Sequence, residues 1–538
     1  MTDRGRPAWV DRALEPGGLL LAAVLLLALA AFVQPQFDPD FWWHLRDGLH
    51  ILAAGLPPHN GYTFTAAHHP YIIQEWGSEV IYALLYRAAG MTPILLLMAV
   101  VTWAGFALAL RRAHRPGGSL GVLAVGGALV VLAGLEIWGP RSEMFTFGFC
   151  GVLLFLLDHH RRHGGRAILA VVPLFWIWGN LHGGFVIGLG LFLVVLGGDA
   201  ITNWLHRRTR AEPGRPAGLA PGLLAPVAWS RWRQLAGLWV LGAVVVVVNP
   251  NGLGVYKYPL RLLSSNVAMA SIQEWQSPNF HLHGLLPALA LVVTTLLVTP
   301  LARRTSLTDL LLAGAGLVLA LYAVRNLVIF GIFQLPLWVD GAEGWWALLA
   351  PVRRPGPAPA GRRPVALVVT ALAALVVVAG LRIGAMAASP ENRPLSAAYP
   401  VAVGRVLCQG PAARVFAPYG ASGWLLYRID PRAPIGRGCA PDRVFIFGEV
   451  DLIGPVVFHQ YLVAAAGLPA ATRILRQYGV TAVWQPRQGP LTALLRRDPN
   501  WTCVFANRGN VVFAWHAAAS RWRASRAACP PPPAAPAT

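Results

Sequence analysis

The sequence predicts a polytopic α-helical membrane protein with a small α/β domain near its C-terminus. Three observations carry this. Of 538 residues, 56% are hydrophobic and only 12% charged, against roughly 25% charged in soluble proteins, and the mean hydropathy is +0.53. The apolar residues gather in long runs separated by short polar gaps. The arginines cluster in alternate gaps, which is how cytoplasmic loops are marked.

Apolar cores lie at 18–34, 91–110, 120–135, 144–157, 167–178, 185–196, 235–248, 285–298, 310–323, 327–339 and 365–381. They read as roughly eleven spans. Several fall short of the ~17–25 residues a bilayer needs, so their ends draw in flanking polar and aromatic residues; the 21 tryptophans suit interfacial anchoring. With Arg4, Arg6 and Arg12 inside, the basic gaps follow in register: Arg111/Arg112/Arg115, then Arg161/Arg162/Arg166, then Arg207 to Arg233, then Arg303/Arg304, then Arg353 to Arg363. This register requires that Gly179-Asn180-Leu181-His182-Gly183-Gly184, which interrupts 167–196, forms a hairpin or a re-entrant turn. The first span then acts as an uncleaved signal-anchor. The segments 35–90 and 249–284 become large outer loops, and everything after 381 lies outside.

The net charge of +21 is nearly all arginine, with Lys257 the only lysine. Its placement in short loops marks topology rather than a phosphate-tracking stripe, so nucleic-acid binding is excluded. Cys150 sits in an apolar core as a small buried residue. Cys408, Cys439, Cys503 and Cys529 all fall in the outer C-terminal part, where one or two disulfides suit an oxidising compartment. No Cys-x-x-Cys metal spacing occurs.

The chain therefore divides into a transmembrane domain at 1–389, an external α/β domain at 390–520 and a disordered Pro-rich tail at 521–538. In the first outer loop, residues 40–52 repeat apolar positions at helical spacing with His44, Arg46, Asp47 and His50 between them, as in an amphipathic helix on the membrane surface. A second short helix starts near 74–79. Residues 351–364 form an inner linker too rich in Pro and Gly to pack. In the C-terminal part, 414–417, 444–447, 480–484 and 511–515 read as strands, and 470–478 and 490–497 as helices. No internal repeat is visible.

The chemistry-bearing residues cluster at span boundaries. Asp38-Pro39-Asp40-Phe41-Trp42-Trp43-His44 follows the first span. Two carboxylates there either cap a helix entrance or hold a cation or accept a proton. Arg141 and Glu143 stand in Pro140-Arg141-Ser142-Glu143, Glu274 in Ile272-Gln273-Glu274-Trp275, and Arg325 at the junction of two spans, where a charge is a functional-site candidate as well as a snorkelling one. His182, among glycines, is either a capped hairpin histidine or a ligand contact. Glu75 and Glu79 in Gln74-Glu75-Trp76-Gly77-Ser78-Glu79 share a helical face.

Together with Asn249-Pro250-Asn251-Gly252 and Arg325-Asn326, these motifs resemble the GT-C superfamily of integral-membrane glycosyltransferases, and within it bacterial members with an external C-terminal domain. The resemblance implies a polyprenyl-phosphate-linked sugar donor and a cell-envelope glycan, lipid or protein as acceptor. It implies transfer on the outer face of a bacterial cytoplasmic membrane by an inverting hexosyl- or pentosyltransferase. Asp38 and Asp40 match the family's first-loop catalytic base or metal ligand, with Mg2+ or Mn2+ as the cation that pair would hold. Glu143 matches a second acidic element, and Arg141, His182, Glu274 and Arg325 are the substrate contacts. Two departures stand out. The Trp-Trp-Asp-Tyr-Gly motif of oligosaccharyltransferases is missing; the nearest stretch is Phe416-Ala417-Pro418-Tyr419-Gly420-Ala421-Ser422-Gly423-Trp424, which argues against protein N-glycosylation. Gly448-Glu449-Val450-Asp451 either contacts an acceptor or caps a turn. The competing readings are a transporter or lipid flippase, to which Gly-broken helices are suited, and a non-catalytic scaffold on the same frame.

Overall fold

The computed structural model describes residues 15–33, 38–210, 225–257, 272–349, 399–429 and 443–522, with isolated positions between them. Outside the described residues lie the N-terminal arginines, the linker at 351–364, most of the span at 365–381, Cys529 and the tail from 523. The chain divides into two units: Met1–Pro35, Thr92–Val255 and Ile272–Ala388 form the first, and Gln36–Met91, Tyr256–Ser271 and Ser389–Thr538 the second. The segment read from the sequence as the first outer loop of the membrane part thus folds within the second unit.

The first unit is built of helices laid over the apolar cores: Pro16–Phe32, Thr92–Ala113, Leu120–Ala133, Glu143–His163, Val171–Leu181, Phe185–Arg210, Trp229–Val245, Leu286–Val298, Leu307–Tyr322 and Leu327–Leu349. Among the described residues, four stretches are long and apolar enough to cross a membrane: Thr92–Ala113, Phe185–Arg208, His283–Leu301 and Val324–Leu349. This is a membrane protein of mainly helical fold. The Leu327–Leu349 helix lies at the centre, buried without a break from Leu327 to Gly341. The Thr92–Ala113 and Glu143–His163 helices meet at backbone distance. A Cβ on Gly105 would stand 2.1 Å from the Gly148 carbonyl oxygen, and one on Gly151 would stand 2.1 Å from that of Gly105. Small residues let helices approach this closely where lipid offers no hydrophobic drive. The break at 182–184 is real: one helix ends at Leu181, His182 is extended, and the next begins at Phe185.

At one end of this unit several arginines of these clusters are held in ion pairs. Arg112 pairs with Asp309, and Arg161 grips Asp199 through Nε and Nη2 at 2.8 and 2.5 Å. Thr308 donates to the same Asp199 at 2.8 Å, and Arg231 caps the Arg161 carbonyl at 2.9 Å. Five helices are fastened together here, which is what a charge in a low-dielectric setting requires.

The second unit centres on a five-stranded sheet: β1 (Arg414–Phe416), β2 (Arg443–Val444), β3 (Ala482–Pro486), β4 (Trp501–Ala506) and β5 (Asn510–Trp515), in the order β2-β1-β3-β5-β4. β1 runs parallel to β2 and β3; β5 is antiparallel to β3 and β4. The sequence reading missed β4, whose pairing is interrupted between Cys503 and Phe505, so its apolar residues do not alternate. Thr63 pairs in parallel with Val444, and Val444 N–H donates to the Tyr62 carbonyl at 3.0 Å, so the 60s segment extends the sheet beyond β2.

The Phe41–Ala54 helix forms where the 40–52 periodicity placed one, but its apolar face is occupied by protein rather than lipid. Phe41 lies 5.6 Å from the Tyr82 ring on the Trp76–Ala89 helix, and Trp42 lies 5.3 Å from Tyr427 on the Tyr419–Ile429 helix. Phe447, just past β2, sits edge-on to Trp43, Tyr62 and Tyr71. Cys408 and Cys439 form a disulfide, and Cys150 is a buried free thiol.

Candidate active site

Four of the residues singled out in the sequence meet in the first unit. Glu143 opens the Glu143–His163 helix, where the macrodipole favours an anion, and it is 4% exposed. Its Oε1 accepts from Arg325 Nε at 2.8 Å and its Oε2 from Arg141 Nη1 at 3.3 Å. Glu274, on a 3-10 turn at Gln273–Trp275, accepts from Arg141 Nη1 at 2.6 Å through Oε2 and from Arg325 Nη1 at 3.4 Å through Oε1. The result is a closed ring, Arg141–Glu143–Arg325–Glu274, of alternating charge. The Arg325 guanidinium also lies over the Trp275 ring, 4.5 Å from its centre, a cation–π contact that shields its second face. Val324 N–H donates to the Gln276 carbonyl at 2.9 Å, fixing the 270s turn beside Arg325.

The ring is chemically lopsided. Both Glu143 oxygens are engaged from the buried side, so this carboxylate anchors the guanidinium pair. Glu274 is the more exposed carboxylate, its side chain 33% accessible. Burial alone would raise its pKa, but Arg325 and then Arg141 outweigh that and hold it down to about 2. It is therefore an anion at any working pH, and a poor proton acceptor. Two guanidiniums converging on a half-buried carboxylate form a site that can take a phosphate in its place, since paired N–H donors suit both groups.

His182 stands apart from the ring's hydrogen bonds. Its Nδ1 accepts from Gly184 N–H at 3.1 Å and lies 2.6 Å from Thr146 Oγ1. Thr146 in turn accepts from Trp178 Nε1 at 2.9 Å. With Nδ1 an acceptor, the neutral ring carries its proton on Nε2. Thr146 went unnoticed in the sequence; the available signal was its position one turn beyond Glu143 on the same helical face.

Asp38 and Asp40 belong to the second unit. Asp38 Oδ1 accepts from Asp40 N–H at 2.8 Å, and its carbonyl from Phe41 N–H at 3.0 Å. Asp38 thus closes the turn that leads into the helix, whose N-cap, Asp40, makes no side-chain capping bond. Asp40 Oδ1 accepts from the Trp43 indole N–H at 3.1 Å. As a divalent-cation site the pair fits poorly: one oxygen of each already accepts an N–H, and no group of three His, Cys, Asp or Glu side chains among the described residues is arranged to hold a metal.

Behind Asp40 lies a buried polar network the sequence did not disclose. His44 Nδ1 is 2.8 Å from Glu79 Oε1 and its Nε2 is 3.6 Å from Glu75 Oε2. Burial lowers the His44 pKa to about 3. Burial, then Asp47, Glu75 and Glu449, raises that of Glu79. Burial thus disfavours the charged form of both partners in this hydrogen bond. Tyr62 and Tyr71 both donate to Asp47, Tyr71 at 2.5 Å, and Arg46 lies over the Tyr62 ring at 3.7 Å. Glu75 and Glu79, read as sharing a face, do so; Glu79 is fully buried.

No family model matches the chain, and no curated protein matches it. Solved structures do. ArnT from Cupriavidus metallidurans in the apo state is 15% identical, covers 94% of this chain and 97% of its own, and superposes with a TM-score of 0.48. The archaeal oligosaccharyltransferase AglB from Archaeoglobus fulgidus, solved with an inhibitory peptide and a dolichol-phosphate, is 10% identical over 95% of this chain and 75% of its own, with a TM-score of 0.46. The arabinofuranosyltransferase AftD from Mycobacteria is 16% identical over 95% of this chain and 42% of its own, with a TM-score of 0.45. Two of these three solved structures are, by name, an oligosaccharyltransferase and an arabinofuranosyltransferase.

Proposed function

We propose that this protein is a membrane glycosyltransferase that takes a sugar from a polyprenyl-phosphate-linked donor and delivers it to a cell-envelope acceptor on the outer face of the cytoplasmic membrane. One observation carries the reading: Arg141 and Arg325, from separate loops, converge on the same two carboxylates and so present paired donors for a lipid phosphate. The motif resemblance supplies the rest. The resemblance assigns to Asp40 the proton of the acceptor hydroxyl, whose oxygen forms the new bond to the anomeric carbon from the face opposite the leaving phosphate. The carbon–oxygen bond to phosphate breaks, and the polyprenyl phosphate leaves with one more negative charge, which Arg141 and Arg325 stabilise. Inversion follows from that single displacement. Glu143 orients both guanidiniums, and the Nε2–H of His182 is a donor for a sugar or phosphate oxygen. No step passes through a metal.

The outer placement is supported by the disulfide in the C-terminal part, which an oxidising compartment sustains, and by the arginine-rich end of the first unit, which the positive-inside rule puts in the cytoplasm. The test is release of polyprenyl phosphate from a panel of polyprenyl-phosphate sugars by the purified protein. Asp40→Asn should slow release by about 10²–10⁴-fold, the usual contribution of a general base. Undiminished release by that variant would remove Asp40 from the chemistry, and uptake of a lipid-linked sugar into vesicles without release would favour transport.

A further inference from the structure

Two stretches of the C-terminal part, 416–424 and 448–451, pack against the turn that carries Asp40. Gly423, on the Tyr419–Ile429 helix, lies against the Asp38-Pro39-Asp40 turn; a Cβ there would stand 2.9 Å from the Pro39 carbonyl oxygen and 2.9 Å from Trp43 Cδ1. Gly448 lies against the carboxylate itself; a Cβ there would stand 1.9 Å from Asp40 Oδ1 and 2.6 Å from Trp43 Nε1. Neither glycine is in the left-handed region, so what each supplies is room. The two are tied together by Tyr419 Oη, which donates to the Gly448 carbonyl at 3.3 Å. Trp43, 5% exposed, is wedged between them with its edge toward Phe447, and its N–H is aimed at Asp40 Oδ1.

We propose that the C-terminal α/β fold is the seat of Asp40: Gly423, Gly448 and Trp43 are positioning residues that fix the Asp38-Pro39-Asp40 turn and the orientation of its second carboxylate. This deepens the reading of Asp40 as the base and rests on it. A carboxylate wedged between a glycine Cα and an indole N–H is held in a set orientation, which is what a base needs to meet a hydroxyl in line. The helix at 419–429 and the segment 447–449 thus form a mould for three residues that lie almost four hundred positions earlier in the chain.

The experiment uses the full-length protein in detergent with Trp43→Phe, which keeps the ring and removes the N–H, and with Gly448→Ala. In a double-mutant cycle with Asp40→Asn, Trp43→Phe should lower kcat by up to about 10²-fold, the cost of misplacing a catalytic group. KM for the lipid donor should stay unchanged, and the loss should vanish in the Asp40→Asn background, because the two act as one. A loss that persists in that background would make Trp43 merely structural and overturn the proposal. A second arm needs no turnover: carbodiimide labelling of Asp40, read by mass spectrometry, should be faster in Trp43→Phe and Gly448→Ala than in the wild type at equal thermal midpoint. Equal labelling overturns the seat even if sugar transfer is confirmed. Faster labelling without any sugar transfer would uphold the seat while removing the reading it serves.

Discussion

Arg325 Nε donates to Glu143 Oε1 at 2.8 Å across 182 positions of sequence, and the same guanidinium reaches Glu274 on a third loop. Each of these residues is a lone charge in an apolar neighbourhood, and an isolated charge there is costly. Closing them into a ring with Arg141 removes that cost while leaving one carboxylate, Glu274, on the accessible side.

Glu274→Gln should therefore tighten binding of polyprenyl phosphate by about tenfold, since a charged hydrogen-bonding competitor is replaced by a neutral one. A lipid titration followed by native mass spectrometry reads this; weaker binding would make Glu274 a ligand contact rather than a competitor. The wild-type carboxyl is held near 2 in the folded protein and titrates near 4.5 when unfolded. Its contribution to stability is thus complete above about pH 4.5–5 and is lost as pH falls toward 2. The thermal midpoint of Glu274→Gln should lack that part of the acid-side fall.

The His44–Glu79 pair gives the opposite sign for its carboxyl. The folded Glu79 carboxyl holds its proton to higher pH than the unfolded one, so it costs stability increasingly as pH rises from about 4.5 toward its folded pKa. Glu79→Gln, a neutral isostere, should be more stable than the wild type near pH 7–8, with the gain shrinking below about pH 4.5. His44, lowered to about 3, withholds a proton that the unfolded chain binds below 6.5, so stability is lost from 6.5 down to 3 and His44→Gln should flatten that part of the curve. Thermal midpoints from pH 4 to 8 check both slopes.

The Cys408–Cys439 bridge closes a loop of sequence separation 31, and opening it should cost about 3–4 kcal/mol by chain entropy. Cys408→Ser with Cys439→Ser should lower the denaturant midpoint of the second unit. No change on substitution or on treatment with dithiothreitol would contradict the bridge and weaken the outer placement.

Chelation separates two roles for the aspartate pair. Because one oxygen of each already accepts an N–H, EDTA should leave the rate of sugar release unchanged. A loss restored by Mg2+ or Mn2+ would make Asp38 and Asp40 cation ligands, with water and donor oxygens filling the remaining positions.

The helices were legible because runs such as 327–339 are apolar without interruption, and the ring residues because charges are scarce enough for each to stand out. Their convergence was not legible: nothing local to Arg141 indicates a partner 133 positions away. The Tyr419–Ile429 helix was missed because Gly420 and Gly423 weaken a helical pattern, and only its packing against Pro39 and Trp43 explains a glycine there. Thr146 was hidden inside an apolar run, and the burial of Glu79 inside what read as a surface helix pair. In each case tertiary contact decided what local pattern could not.

The central claim is that Arg325 and Arg141 form a lipid-phosphate site. Native mass spectrometry of the detergent-solubilised wild type, Arg325→Lys and Arg325→Ala with polyprenyl phosphate tests it most directly, the lysine variant controlling for loss of the ring's charge balance. Selective binding by the wild type, weakened in Arg325→Lys and lost in Arg325→Ala, is the result expected. Equal binding by all three, or none by the wild type, would contradict the site and with it the proposed glycosyl transfer.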